Sequence, residues 1–108
     1  SLEEIKEAKK AEIANTRYEA EIAGVNGTRT DRESQSLITG AALKASMDST
    51  YSCRWKTEAG FVTLTAAQII AVADAVRAYV QSCFDHEAEL LSLIEAATTQ
   101  AELDAIEW

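Results

Sequence analysis

The sequence predicts a mainly α fold, an α-rich α+β arrangement of helices packed on one long central helix with a small antiparallel β-hairpin, and three observations predict it. From Thr65 to Ala97 there is neither Gly nor Pro, and apolar residues recur at Ile69, Ala73, Val76, Val80, Cys83, Leu90, Ile94 and Ala97, a spacing broken only at Glu87. That is the period of a helix burying one stripe. Ahead of it, Tyr51, Cys53 and Trp55 alternate with Ser52, Arg54 and Lys56, the period of a half-buried strand. The apolar share is 47%, but much of it is alanine and only seven residues are Phe, Tyr or Trp, so the core is expected to be thin and helix-packed.

In chain order, Leu2 to Ala23 reads as a first amphipathic helix. Leu2, Ile5, Ile13, Ala20 and Ala23 fall in one narrow sector, with Lys6, Lys10, Arg17 and Glu21 to one side of it. Ala11, Ala14, Tyr18 and Ile22 make a second, weaker stripe, so this helix is expected to meet neighbours on two sides. Ser1 and Glu4 are spaced for a capping box. Gly24 stops the helix, and Asn26-Gly27 supplies the positive φ of a type I′ turn, a tiny hairpin or tight turn across Val25 and Thr28. Thr30 to Glu33 offers a second capping box, opening a helix through Leu37, Ile38, Ala41, Ala42 and Ala45 towards Met47. Gly40 in its middle costs about 1 kcal/mol relative to Ala and is expected to mark a close approach to the long helix. Glu58 to Gly60 then turns the chain, and Phe61 to Thr65 returns as the second strand, with Val62 and Leu64 on the side of Trp55. Thr65 and Gln68 cap the long helix. Thr98 and Thr99 interrupt it, and Thr99 with Glu102 caps a last short helix bearing Leu103 and Ile106.

A chain of 108 residues suits a single domain, residues 1–108. Ten Lys and Arg stand against eighteen Asp and Glu, a net charge of -8, which repels phosphate backbones and anionic bilayers; nucleic acid is not an expected partner. No run reaches the roughly eighteen uncharged apolar residues of a membrane span, and the first ten residues lack the apolar core of a signal peptide. The chain opens on Ser1 instead of Met, as an excised fragment or a processed start does. Two cysteines, Cys53 and Cys83, fall short of a disulfide framework; reduced thiols are the expectation and a bridge the alternative.

The nearest approach to a metal site is Cys83 with His86, one helical turn apart, and Cys53 as a third donor. Zinc wants four such ligands, and a thiol on an apolar seam is ordinarily a core residue, so no metal and no cofactor are expected. His86 is the only histidine, and no nucleophile motif surrounds it. Asp85, Glu87 and Glu89 occupy different azimuths of the long helix and read as solvated surface, not as an acid–base pair. Trp55, Tyr79 and Phe84 read as core aromatics in preference to a ligand cleft, and Trp108 as either a lid over the core or an exposed contact residue. There is no Gly-rich phosphate loop and no basic-aromatic platform. No catalytic residue emerges, and no enzymatic activity is expected.

Several residues, in order, resemble a family of unknown function found at the C-terminal end of phage and prophage tail proteins, often encoded beside tail fibres. They are Glu12, Ile13 and Arg17; Asn26-Gly27 followed by Asp31; Ser36, Ile38, Thr39, Gly40 and Ala41; Trp55; Thr63 to Gln68; Ile94 to Thr98; and Leu103 to Ile106. The resemblance spans almost the whole chain. It implies a structural or interaction domain of a tail or tail fibre, with a tail-fibre assembly factor as the alternative; a small zinc-binding module using Cys53, Cys83 and His86 is the less favoured reading from the residues themselves. The setting it implies is the virion, or the host bacterial cytoplasm during assembly, with protein partners. It brings no site residues.

Geometry adds one expectation. The long helix spans about 48 Å against a radius of gyration of roughly 13 Å for a domain of this size. It also carries a second apolar row at Ile70, Phe84 and Leu91. Either another copy covers that row, making a homo-oligomer, or the two earlier helices cover it within one chain. Glu87 on the seam argues against a continuous coiled coil.

Overall fold

In the computed structural model, which describes residues Ser1–Trp108, helices start where side chains satisfy their first amides. α1 (Leu2–Glu21) opens on Ser1, whose Oγ accepts from the Glu4 N–H at 3.3 Å and donates to the Glu4 carboxylate. α2 (Arg32–Met47) is capped by Asp31 and not, as the spacing suggests, by Thr30. Asp31 Oδ2 accepts from the Ser34 N–H at 3.2 Å, and a carboxylate there also meets the positive end of the helix dipole. Thr30 is fully buried, and its Oγ1 accepts from the Gly24 N–H at 2.8 Å.

Gly24, at φ +94°, ends the first helical stretch two residues earlier than the pattern implies. Asn26 and Gly27 both hold positive φ, and Val25 and Thr28 exchange main-chain hydrogen bonds of 2.9 and 2.8 Å. The expected tiny hairpin is thus a single bridge.

β1 (Ser52–Thr57) and β2 (Gly60–Thr65) pair antiparallel, with Trp55 opposite Val62 and Cys53 opposite Leu64. β2 runs directly into α3 (Ala66–Ala96), because Thr65 both ends the strand and caps the helix. Its N–H donates to Gln68 Oε1 at 2.9 Å, and the Gln68 N–H donates to Thr65 Oγ1 at 3.2 Å, a reciprocal capping box. α4 (Gln100–Asp104) starts on Thr99, whose Oγ1 accepts from the Glu102 N–H at 3.1 Å, while the Glu102 carboxylate reaches back to the Thr98 N–H. The fold is α-rich α+β, and α3 is unbroken over 31 residues. No helix is long and apolar enough to cross a membrane.

The chain divides into two compact units, Ile22–Val80 on the one hand and Ser1–Glu21 with Gln81–Trp108 on the other. In the first, Ile38 and Ala45 of α2 meet Ala66, Ile69, Val76 and Val80 of α3, with Tyr51, Cys53, Trp55 and Leu64 of the hairpin region packed against them. In the second, Ile13 of α1 meets Leu90, Ile94 and Ala97, and Leu103 of α4 and Ile106 beyond it join them. The predicted seam of α3 is buried along its length except at Ala73, which is half-buried, and at Glu87. Its second row is partly covered within the chain, with Phe84 still 37% exposed. Ile70 and Leu91 pack on their respective clusters, and Phe84 lies beneath the Arg17 guanidinium, 4.3 Å from its ring centre.

One expectation is corrected here. Gly40 marks no close approach, since a Cβ built on it meets nothing within 4 Å. On the charged side of α1, for whose burial the spacing gives no sign, Lys6 and Glu21 are buried. Lys6 Nζ donates to the Glu95 carbonyl at 2.9 Å, which places a cation on the last turn of α3, a helix end with no basic residue of its own. That is the sign a helix C-terminus favours.

Candidate functional site

The hairpin and its neighbours leave a groove of about 770 Å³ within the Ile22–Val80 unit. Its walls are Leu37 of α2, Trp55 of β1, Val62 and Leu64 of β2 and Val72 of α3, with Gly27, Thr28 and Arg29 of the Asn-Gly loop closing one side. Residues Arg54 to Glu58 line it without a gap. Successive strand residues point to opposite faces, so a groove lined by Arg54 to Thr57 of β1 and by Phe61, Val62 and Leu64 of β2 reaches both faces of the hairpin. The outer edge of β1 is open: the sheet has two strands only, and no main-chain group of Ser52–Thr57 bonds to the main chain outside the hairpin.

Apolar side chains around the groove are unusually bare. Leu37 is 59% exposed, Phe61 67% and Val62 44%. Trp55 is half-buried on the core and serves as the groove's floor. The charge about it is cationic. Arg54 and Lys56 are exposed and make no ion pair, and Arg29 stands 3.9 Å from Glu58 with both side chains largely in water, a contact worth little. A polar hollow of about 730 Å³ adjoins the groove, sharing Gly27, Thr28, Arg29 and Glu58. In its wall, Asp31 stays ionised, because the Ser34 hydroxyl and then the Ser34 amide hold its carboxyl below the ordinary 3.8.

The excess acid of the chain lies elsewhere. Residues 1–21 and 81–108 hold four Lys or Arg against thirteen Asp or Glu, a net -9, whereas residues 22–80 hold six against five, a net +1; together these make the -8 of the chain.

The residues singled out in the sequence are dispersed. Cys53 belongs to the Ile22–Val80 unit and Cys83 and His86 to the other, both thiols are free, and no group of three or more His, Cys, Asp or Glu is placed to hold a metal ion. His86 Nε2 lies 2.6 Å from the main-chain oxygen of Trp108, and the two rings meet edge to face at 4.3 Å. Trp108 is therefore a partly exposed residue stacked on His86. Asp85 accepts from Gln81 Nε2 at 2.9 Å. Glu87 is not solvated surface as expected: its carboxylate, 15% exposed, accepts from Arg17 Nε at 2.9 Å, and Arg17 also binds the buried Glu21 at 2.6 Å. Tyr79 packs on the cluster around Ile69, and Phe84 lies under Arg17, so of the three aromatics only Trp55 lines the groove.

A family model described as a domain of unknown function, DUF4376, matches residues 4–107. The chain belongs to this family. No curated protein and no solved structure matches it. In this DUF4376 domain Leu37, Arg54, Lys56, Phe61 and Val62 read in the sequence only as parts of a helix and two strands, and neither they nor Arg29 as a groove, because each looks ordinary by itself. One signal was available: alternation puts Arg54 and Lys56 on the outer side of a strand in an acidic chain, with Phe61 paired opposite Lys56.

Proposed function

We propose that this chain is a non-enzymatic interaction domain of a phage or prophage tail protein, and that it docks another protein of the assembly through the hairpin face. The observation that carries the docking is the concentration of bare apolar side chains, Leu37, Phe61 and Val62, around one groove floored by Trp55. Isolated surface apolar residues need no explanation, but a cluster beside a concavity marks an interaction site. The tail setting is supported by the residues that resemble terminal domains of tail proteins, with the virion or the host cytoplasm during assembly as its location. A non-enzymatic role is supported by the sequence around His86, the only histidine, where no nucleophile motif occurs.

Mass spectrometry of particles purified from a phage-producing host tests the reading. The chain is expected in wild-type particles and depleted when Phe61→Asp and Val62→Asp are introduced together. Its absence from particles, with fibres lost on deletion of the gene, identifies an assembly factor instead. Absence with intact, infectious particles refutes both.

A further inference from the structure

We propose that the groove takes an extended, acidic segment of a partner protein, which adds a strand to the free edge of β1 and drops one bulky apolar side chain against Trp55. The inference rests on the reading of the hairpin face as a protein-docking surface, and four observations on that face fix the chemistry of the occupant.

First, Arg54 to Glu58 line the groove without a gap, and the outer main chain of β1 has no partner in the fold. An unpaired strand edge beside a concavity is the template for strand addition, in which main-chain hydrogen bonds give affinity and alternate side chains give specificity. Second, the interior is apolar, with Leu37, Trp55, Val62, Leu64 and Val72 as its walls. An alternating strand sends every second side chain to one face, so one large apolar residue enters the groove while its neighbours face outward. Third, the cations Arg54 and Lys56 stand on the same strand without a carboxylate, and Arg29 faces them with only a distant one. Carboxylates flanking the apolar anchor complement them. Fourth, this local excess of positive charge belongs to the unit of net +1 in a chain of net -8.

A nucleic acid fits less well. Three cations neutralise too few phosphates for firm binding, which ordinarily uses about six to ten.

The test uses the purified chain and a short fluorescein-labelled peptide alternating Glu with Leu around a central Phe, read by anisotropy at about 50 mM salt. Saturable binding is expected, weakened about tenfold or more by Arg54→Glu with Lys56→Glu and by Ser in place of the peptide's Phe. Both chain residues are exposed, and circular dichroism checks that the variant keeps its helix content. N-methylation of one alternate set of peptide bonds is expected to abolish binding while the other set is tolerated, the signature of a paired strand edge. The proposal is overturned by no binding up to about 1 mM chain, by equal binding of a Lys-for-Glu peptide, by indifference to both N-methylated sets, or by tighter binding of oligothymidylate. The two readings fail separately. A chain present in particles that binds no acidic peptide refutes the partner chemistry alone, and a peptide bound by a chain absent from particles refutes the virion setting alone.

Discussion

Replacing Arg17 by Met removes the cation that Glu21, Glu87 and the face of Phe84 share. The Arg17 side chain is 13% exposed, Glu87 15% and Glu21 1%, so little water is at hand to take its place. Removing one member of a buried ion pair costs about 3–5 kcal/mol, because the remaining charge stays desolvated. Loss of the cation–π contact, 4.3 Å from guanidinium to ring centre, adds roughly 0.5–2 kcal/mol, and the exposed edge of Phe84 puts it at the lower end. The methionine recovers part of the packing of the arginine stem. A net loss of about 3 kcal/mol follows, a fall in melting temperature of roughly 12 °C for a chain of this length. Urea unfolding followed by circular dichroism at two salt concentrations measures it. A surface pair would lose its contribution at high salt, so the difference between wild type and Arg17→Met is expected to persist there. Glu87→Gln, which leaves an amide oxygen to accept from Arg17, is expected to cost only about 1 kcal/mol. A loss below about 1 kcal/mol for Arg17→Met, or one that vanishes with salt, would refute the argument that this cluster is a desolvated unit.

Gly40→Ala is expected to stabilise the chain by about 1 kcal/mol in the same unfolding assay, since the site is helical, exposed and empty where the methyl goes; destabilisation would mean that something does pack there. On acidification, Asp31, held low by Ser34, Asp48, held low by Thr50, and Glu95, held low by Lys10, each contribute stability that is present above the ordinary carboxylate range and lost as pH falls through their depressed values. The stability gap between wild type and Asp31→Asn should therefore shrink as pH drops below 3.8, and a gap independent of pH would contradict it. At the alkaline end Lys10, raised by Glu95 and then Glu7, contributes below 10.5 and loses its share as pH climbs through its higher value. Elemental analysis of the purified chain should find no stoichiometric zinc; zinc that disappears on Cys83→Ser would restore the metal reading of Cys53, Cys83 and His86.

The order and type of every element were legible in the sequence because local chemistry decides them. A Thr-x-x-Gln box, an Asn-Gly pair, a period-two strand and a 31-residue stretch without Gly or Pro each act over a few residues, and the structure keeps them all within one or two positions. The choice between Thr30 and Asp31 as a cap lay at the limit of that locality, since both side chains reach an amide and only the packing that buries Thr30 selects Asp31. What the tertiary structure alone decided is which polar groups leave water. Periodicity marked Glu87 as an interruption of an apolar seam, but its partner lies 70 residues earlier, and nothing local to either residue announces the other. Lys6 on Glu95 is the same case at a separation of 89. The groove, too, is absent from any single stretch, because its walls come from a loop, two helices and both strands. Burial of an apolar stripe follows from surface area and so can be read from spacing, whereas desolvation of a charge is tolerated only where a distant partner arrives to meet it.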